Sequence, residues 1–401
     1  MKVLMLGWEL PPHNSGGLGV ACYQLCKALA QKDIDIEFIL PYQADHKVDF
    51  MNVTAAHPRG VAAIWHAGTA YDSHLYIKPD GNQQRLTIHD QQYLYEKSVE
   101  RLVAGKEIDI VHAHDWLTFR AALRVKQLKN CPLILHVHSI ESDRAGNNHG
   151  NPLVREVESL AMQLADRVIA VSQHTKDGIV AEYSVPADKI EVVHNSINPG
   201  ELEQLDTENA YRYLSIMKSL GYKVVANVGR LTIQKGLPNL LKAAKEVIDK
   251  SPQTLFLFVG GGEQYQELVE LAAELGIGPN VIFADFQRGK RWRDAFGIAD
   301  LFVMPSVSEP FGLTPLEAIG YGTPSLVSKQ SGVSEVLKNC LKVDHWDVHE
   351  MANQIVNVLE RPELHDELAA NAFREYQKMS WGQVSDQVID IYKAHLAGAA
   401  A

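Results

Sequence analysis

Short apolar runs recur along the chain at intervals that leave room for an amphipathic helix between each pair. The first, Lys2 to Leu6, reads as a buried strand. It is followed by the glycine cluster NSGGLG and then by VACYQLCKALAQ, whose apolar residues fall at i, i+3, i+4 and i+7, a helical period. Further strand candidates are IEFIL, VAAIWHA, IDIVHAH, CPLILHVH, RVIAVS and IEVVHNS, several of them separated by helical patterns such as YLYEKSVERLVAGK and LVREVESLAMQLA. Regular alternation of strand and helix predicts an α/β chain with a parallel, doubly wound sheet.

The pattern is interrupted once. After Asn195 the chain turns polar and loses its strand signals, and a new strand, KVVANVGR, begins at Lys223. The alternation then resumes with LPNLLKAAKEVID, TLFLFVGGG, YQELVELAAELG, NVIFADF, LFVMPS and PSLVS, a second Rossmann-like unit. The expected organisation is an N-terminal domain over 1–200, a linker over 201–222, a C-terminal domain over 223–380, and a final helix over 381–401 packing back on the first domain. In that helix Val384, Val388, Ile391 and Tyr392 share one face. The length of 401 residues agrees with two hydrophobic cores.

Composition narrows the function classes. With 38 Lys+Arg against 49 Asp+Glu, the net charge of -11 would repel a nucleic-acid backbone. Cys22 and Cys26 lie one helical turn apart rather than in a CxxC motif, and with Cys131 and Cys340 they read as free thiols. The N-terminal apolar run is short and stops at Pro11, unlike a signal peptide, and no run approaches the ~18 apolar residues of a membrane span. A cytoplasmic protein without integral membrane contact is expected.

The candidate chemistry centres on SEPFGLTPLEA, Ser308 to Ala318. Thr314, Pro315 and Glu317 have the spacing of a helix start, with Thr314 as N-cap, Pro315 at the first helical position and Glu317 closing a capping box. Gly312 just before it would let a ligand approach the backbone where free amides favour an anion. Glu309, at the end of a strand, would face hydroxyls. A polyol phosphate satisfies both demands.

These residues resemble the E-x7-E signature of retaining glycosyltransferases of family 4, enzymes of the GT-B fold that include glycogen, starch and sucrose-phosphate synthases. SGGLG, HAHDW, HVHSIE, AVSQHT, VVHNSIN, GRLTIQKG and VGGG occur in the same order, so the likeness covers nearly the whole chain. It implies two Rossmann-like domains facing across a cleft. Glu309 would contact the donor sugar and Glu317 the ribose diol, with Phe311, Gly312, Leu313 and Thr314 approaching the sugar and pyrophosphate. Arg230 and Lys235 would neutralise the leaving diphosphate, Gly16 and Gly17 would lie against the donor, His138 near the reacting sugar, and Asp115 on the acceptor side. Glycogen synthases carry a lysine two places before the glycine pair, where this chain has Asn14.

The implied activity is retaining transfer of a hexose, glucose first, from an ADP-, UDP- or GDP-sugar to a carbohydrate hydroxyl. An α-glucan synthase and a sucrose-, trehalose- or small-glycoside-forming enzyme are both compatible. No cofactor or metal is expected beyond the nucleotide-sugar co-substrate. Rival classes are a metal-dependent hydrolase using the pairs His112 with His114 and His136 with His138, and a non-catalytic sugar-nucleotide sensor. The DxD at Asp33 and Asp35 reads as a turn and strand entry. A nicotinamide enzyme would need G-x-G-x-x-G after the first strand, and GWELPPHNSGGLG lacks it.

Overall fold

The computed structural model describes residues 1–14, 16–57, 62–65, 74–77, 83–84, 86–146 and 148–399. Two units emerge, the first comprising Met1–Glu141, Asn151–Ser196 and Trp381–Ala401, the second Ser142–Gly150 and Ile197–Ser380.

The first unit is built on seven parallel strands: β1 (Lys2–Leu6), β2 (Asp35–Leu40), β3 (Asn52–Ala55), β7 (Ile110–His114), β8 (Leu133–Val137), β9 (Arg167–Ala170) and β10 (Ile190–Val192), ordered β10-β9-β8-β7-β1-β2-β3. Between β3 and β7 the chain adds a separate antiparallel sheet of β4 (Ala62–Trp65), β5 (His74–Ile77) and β6 (Gln83–Gln84), so the VAAIWHA run leaves the parallel sheet. Strands buried on both faces explain the unbroken apolar runs. One face packs Leu4, Val111, Leu133 and Leu135 against Phe119, Val125 and Met162. The other packs Met5, Phe38 and Ile134 against Leu25 and Leu29 of the helix Gly17–Ala30. Trp381, Val388 and Tyr392 of the terminal helix Trp381–Ala399 complete that second layer.

The second unit repeats the plan with β11 (Lys223–Val228), β12 (Thr254–Val259), β13 (Val281–Phe283), β14 (Leu301–Met304), β15 (Ser325–Ser328) and β16 (Leu341–Val343), ordered β13-β12-β11-β14-β15-β16, all parallel. Residues 201–222 belong to this unit and contain the helix Arg212–Ser219. Phe256, Leu301 and Leu326 face Leu240, Val247 and Ile355 in its core. The fold class is therefore α/β with two Rossmann-like parallel sheets. Among the described residues no helix is long and apolar enough to cross a membrane.

Candidate functional site

In each unit the strand order reverses once, between β1 and β7 in the first and between β11 and β14 in the second. Open parallel sheets receive ligands beyond the carboxyl ends of their strands at such a reversal, because the loops there diverge to opposite sides. Most of the candidate residues lie after these four strands, and His138 follows the neighbouring β8.

In the second unit, glycines let the loops after β11, β12 and β14 touch backbone to backbone. A Cβ on Gly260 would lie 1.7 Å from the Gly229 carbonyl oxygen, and one on Gly262 would lie 2.3 Å from that of Leu231. Gly236, at φ +63, would bring a Cβ 2.3 Å from the Pro305 carbonyl oxygen. The Val307 amide donates to the Gln234 carbonyl at 2.9 Å, tying the β14 loop to the β11 loop. No side chain fits between these segments.

That contact carries the charged groups. Lys235 ends a single 3-10 turn, Ile233–Lys235, and its ammonium pairs with the Glu309 carboxylate, which also accepts from the Ser306 hydroxyl at 3.1 Å. Glu309 is itself buried, its backbone N–H donating to the Gln330 carbonyl at 2.9 Å. The structure thus brings Lys235 and Glu309 together, rather than leaving the lysine facing outward. Arg230 is exposed; its guanidinium donates to Gln234 at 3.4 Å and forms no ion pair among the described residues. The neighbouring Ser308 hydroxyl donates to Asp143, both side chains being buried.

The helix start differs from its sequence reading. The helix runs Thr314–Gly320 with Leu313 as N-cap and no side-chain cap, so the expected capping box is absent. Thr314 turns its hydroxyl toward the Met304 sulfur at 3.9 Å, because Gly312 at φ +95 swings the chain over Met304 before the helix begins. Phe311 is buried, and its carbonyl accepts from the Val333 amide at 2.7 Å. The amides of Gly312, Leu313 and Thr314 have no backbone partner among the described residues. Released from capping, the Glu317 carboxyl lies in a partly buried setting where desolvation pushes its pKa up to about 7, against a Trp292 hydrogen bond that works the other way.

In the first unit, His112 and His114 point to one side of β7, and His136 to the same side of β8 with His138 just beyond it, since alternate strand residues share a face. The rings stack, with centroids 4.6 Å apart for His112 and His114 and 4.4 Å for His136 and His138. Ring nitrogens meet in pairs, His112 Nε2 with His136 Nδ1 at 3.2 Å and His114 Nδ1 with His138 Nε2 at 3.1 Å. Burial holds all four far below the ordinary imidazole range, His112 and His138 at about 3, so they are neutral. One nitrogen each of His112, His114 and His136 lie within 4.8 Å of one another, as do those of His114 and His138 with the Cys22 sulfur, distances a metal could draw together.

Asp115 caps the helix Trp116–Lys129 at φ +58, a backbone setting uncommon for a residue with a side chain. Its Oδ1 accepts from the amides of His138 at 2.6 Å and Ser139 at 3.3 Å, so its carboxylate holds the chain beside His138. Gly16 is the N-cap of the helix Gly17–Ala30 in an extended conformation, and a Cβ there would meet nothing within 4 Å. The fold does not demand a glycine at that place.

The family described as Glycosyltransferase Family 4 matches residues 15–201, and that described as Glycosyl transferases group 1 matches residues 216–375. The chain is 28% identical to an uncharacterized glycosyltransferase of Methanocaldococcus jannaschii, covering 98% of each. It is 25% identical to a D-inositol 3-phosphate glycosyltransferase of Nocardioides sp., covering 95% of this chain and 85% of that one. To the glycogen synthase of Mycobacterium tuberculosis it is 26% identical, covering 99% and 96%. Its fold matches sucrose-phosphate synthase from Thermosynechococcus elongatus with a TM-score of 0.77 at 19% identity, covering 99% and 100%. The chain is a glycosyltransferase with the two-Rossmann GT-B fold.

In this glycosyltransferase several side chains that shape the site went unnoticed in the sequence. Ser306 sits three residues before Glu309 in an apolar run and gives no signal of its own. Trp292 reaches Glu317 from the helix Lys290–Ile298, a tertiary contact without local pattern. His114 was legible as one member of an HxH pair, but its partnership with His138 required the parallel register of β7 and β8.

Proposed function

We propose that this glycosyltransferase moves a hexose, glucose first, from a nucleotide-diphosphate sugar to an acceptor hydroxyl with retention of configuration. The observation that carries the reading is the meeting of Lys235 and Glu309 at the strand-order reversal of the second unit, on loops held apart from side chains by glycine. A cation and a carboxylate side by side suit a ligand with an anionic bridge next to sugar hydroxyls. Lys235 and Arg230 take the charge that builds on the departing diphosphate, worth about 10²–10³ in turnover for a single well-placed donor. Glu309 accepts from donor hydroxyls and Glu317 from the ribose diol, while the amides of Gly312, Leu313 and Thr314 turn toward the phosphates.

The proposed route is front-face. The acceptor oxygen bonds to the anomeric carbon on the side from which the diphosphate leaves, and a phosphate oxygen takes the acceptor proton. The protein then contributes positioning and charge stabilisation rather than a general base. We assign the reaction no metal or other cofactor, and place it in the cytoplasm.

Two acceptor classes are open to this mechanism, a growing α-glucan and a small polyol or sugar phosphate, and the named relatives include both. Thermal shift against ADP, UDP and GDP identifies the base, since a ligand that binds only the folded state raises its melting point. Incubation of the matching glucose donor with a maltooligosaccharide, an inositol phosphate or fructose 6-phosphate then identifies the acceptor, and the anomeric coupling of the product reports retention. A melting point unmoved by all three nucleotides, with no transfer, would sink the proposal.

A further inference from the structure

The four stacked histidines of the first unit hold their protons in one arrangement. A neutral imidazole has one N–H and one lone pair, so each ring-to-ring contact uses a single proton. The Nε2 atoms of His114 and His136 are buried and meet no partner. A buried N–H without an acceptor is rarer than a buried lone pair without a donor, so both atoms are bare and both protons sit on Nδ1. The nearby Cys22 thiol, held protonated by burial, offers such a proton no acceptor better than sulfur.

The rest of the array follows. His136 Nδ1–H donates to His112 Nε2 at 3.2 Å, which leaves the His112 proton on Nδ1, where it donates to the Tyr392 hydroxyl at 2.5 Å. His114 Nδ1–H donates to His138 Nε2 at 3.1 Å, so the His138 proton is also on Nδ1. That atom hydrogen-bonds to nothing else among the described residues, and His138 is the one ring of the four that is only partly buried. Asp115 fixes its peptide from the other side through the bond to its amide.

We infer that His114 is a positioning residue that sets the tautomer of His138, presenting His138 to the substrate as a neutral Nδ1–H donor. Its target is a lone-pair oxygen of the bound sugar, and it neither accepts nor delivers a proton during transfer. The inference rests on the reading of His138 as a residue beside the reacting sugar. A neighbour of different chemistry at position 114 would leave His138 free to exchange its two tautomers.

Two measurements test it on the full-length protein. In ¹⁵N spectra of histidine-labelled protein, with the His138 signals identified by their loss in His138→Gln, Nδ1 of His138 appears protonated and Nε2 bare; His114→Leu collapses them toward an exchanging average. An asparagine amide mimics Nδ1 and a glutamine amide mimics Nε2. His138→Asn therefore keeps at least about tenfold more kcat/KM than His138→Gln, the weight of one hydrogen bond. His114→Asn, whose amide can donate from near the Nδ1 position, restores what His114→Leu loses, while thermal unfolding confirms that each variant is folded.

A protonated Nε2 on His138, glutamine outperforming asparagine, or stoichiometric metal bound to these rings overturns the inference. Full activity in both His138 variants would instead remove that residue from the reaction and overturn the reading beneath it, with the nitrogen spectrum still deciding the tautomer.

Discussion

The ammonium of Lys235 and the carboxylate of Glu309 close on each other across the strand-order reversal of the second unit, with side chains only 19% and 11% exposed. Each therefore compensates the other's burial, and in the proposed reaction a donor would share the lysine rather than capture it from solvent.

Lys235→Met should lower turnover at saturating donor by about 10²–10³. It should also lower stability by about 1–3 kcal/mol, because among the described residues the Glu309 carboxylate then keeps only Ser306 as a side-chain partner. The double variant Lys235→Met with Glu309→Gln regains that stability without regaining turnover. Recovery of turnover in the double variant would assign the pair to structure alone.

Glu317 ties stability to pH. Its carboxyl titrates at about 7 in the fold against an ordinary 4.5. Between those values the unfolded chain has lost its proton and the folded chain has kept it, so stability falls as pH rises from about 4.5 to about 7 and is flat above. Glu317→Gln should abolish this part of the slope and stabilise the protein at pH 8 by up to about 3 kcal/mol, while weakening nucleotide binding. Trp292→Phe removes the hydrogen bond that holds the carboxyl down, so the midpoint moves above 7. Urea unfolding across a pH series reads both shifts, and a pH profile unchanged in Glu317→Gln would refute the assignment.

The parallel sheets were readable from sequence because their strands are buried on both faces and appear as unbroken apolar runs, as in TLFLFV of β12. Short strands without that signature were not, such as β16, whose LKV is only partly buried. The residues of the candidate site were readable as types at loop positions, but their pairings were not. T-x-x-E at 314–317 has the local form of a capping box, yet the left-handed turn at Gly312 sends the chain over Met304 and moves the N-cap onto Leu313, with the helix starting at Thr314. Lys235 and Glu309 are 74 residues apart, and the packing of Gly236 on Pro305, with the bond from the Val307 amide to the Gln234 carbonyl, makes them neighbours.

That packing makes its own prediction. Gly236→Ala meets both a left-handed φ of +63 and a carbonyl oxygen at 2.3 Å, whereas Gly276→Ala has φ +69 with nothing within 4 Å. The second should cost about 1–2 kcal/mol for the backbone conformation alone. The first should cost more and should also depress turnover, since it shifts the loop that carries Lys235. Equal unfolding free energies for the two would show that the loop absorbs the clash.

Among the described residues the terminal helix is joined to the histidine array by one hydrogen bond, between His112 Nδ1 and the Tyr392 hydroxyl, both residues being fully buried. Tyr392→Phe keeps the ring among Cys26, Leu25 and Val388 and removes only the oxygen. The His112 N–H is then left buried without an acceptor, at about 1–3 kcal/mol. For a unit of this size each kcal/mol lowers the melting point by about 2–4 °C. The expected loss is therefore visible by calorimetry in the transition of the first unit. Measured in a His112→Phe background, which itself strands the His136 Nδ1–H, the same Tyr392→Phe step should carry no such loss, because no His112 donor remains. Were Tyr392→Phe as stable as the parent chain, the hydroxyl would not be the acceptor, and the proton order of the His112–His136 pair would have to be reversed, with that of His114 and His138 untouched.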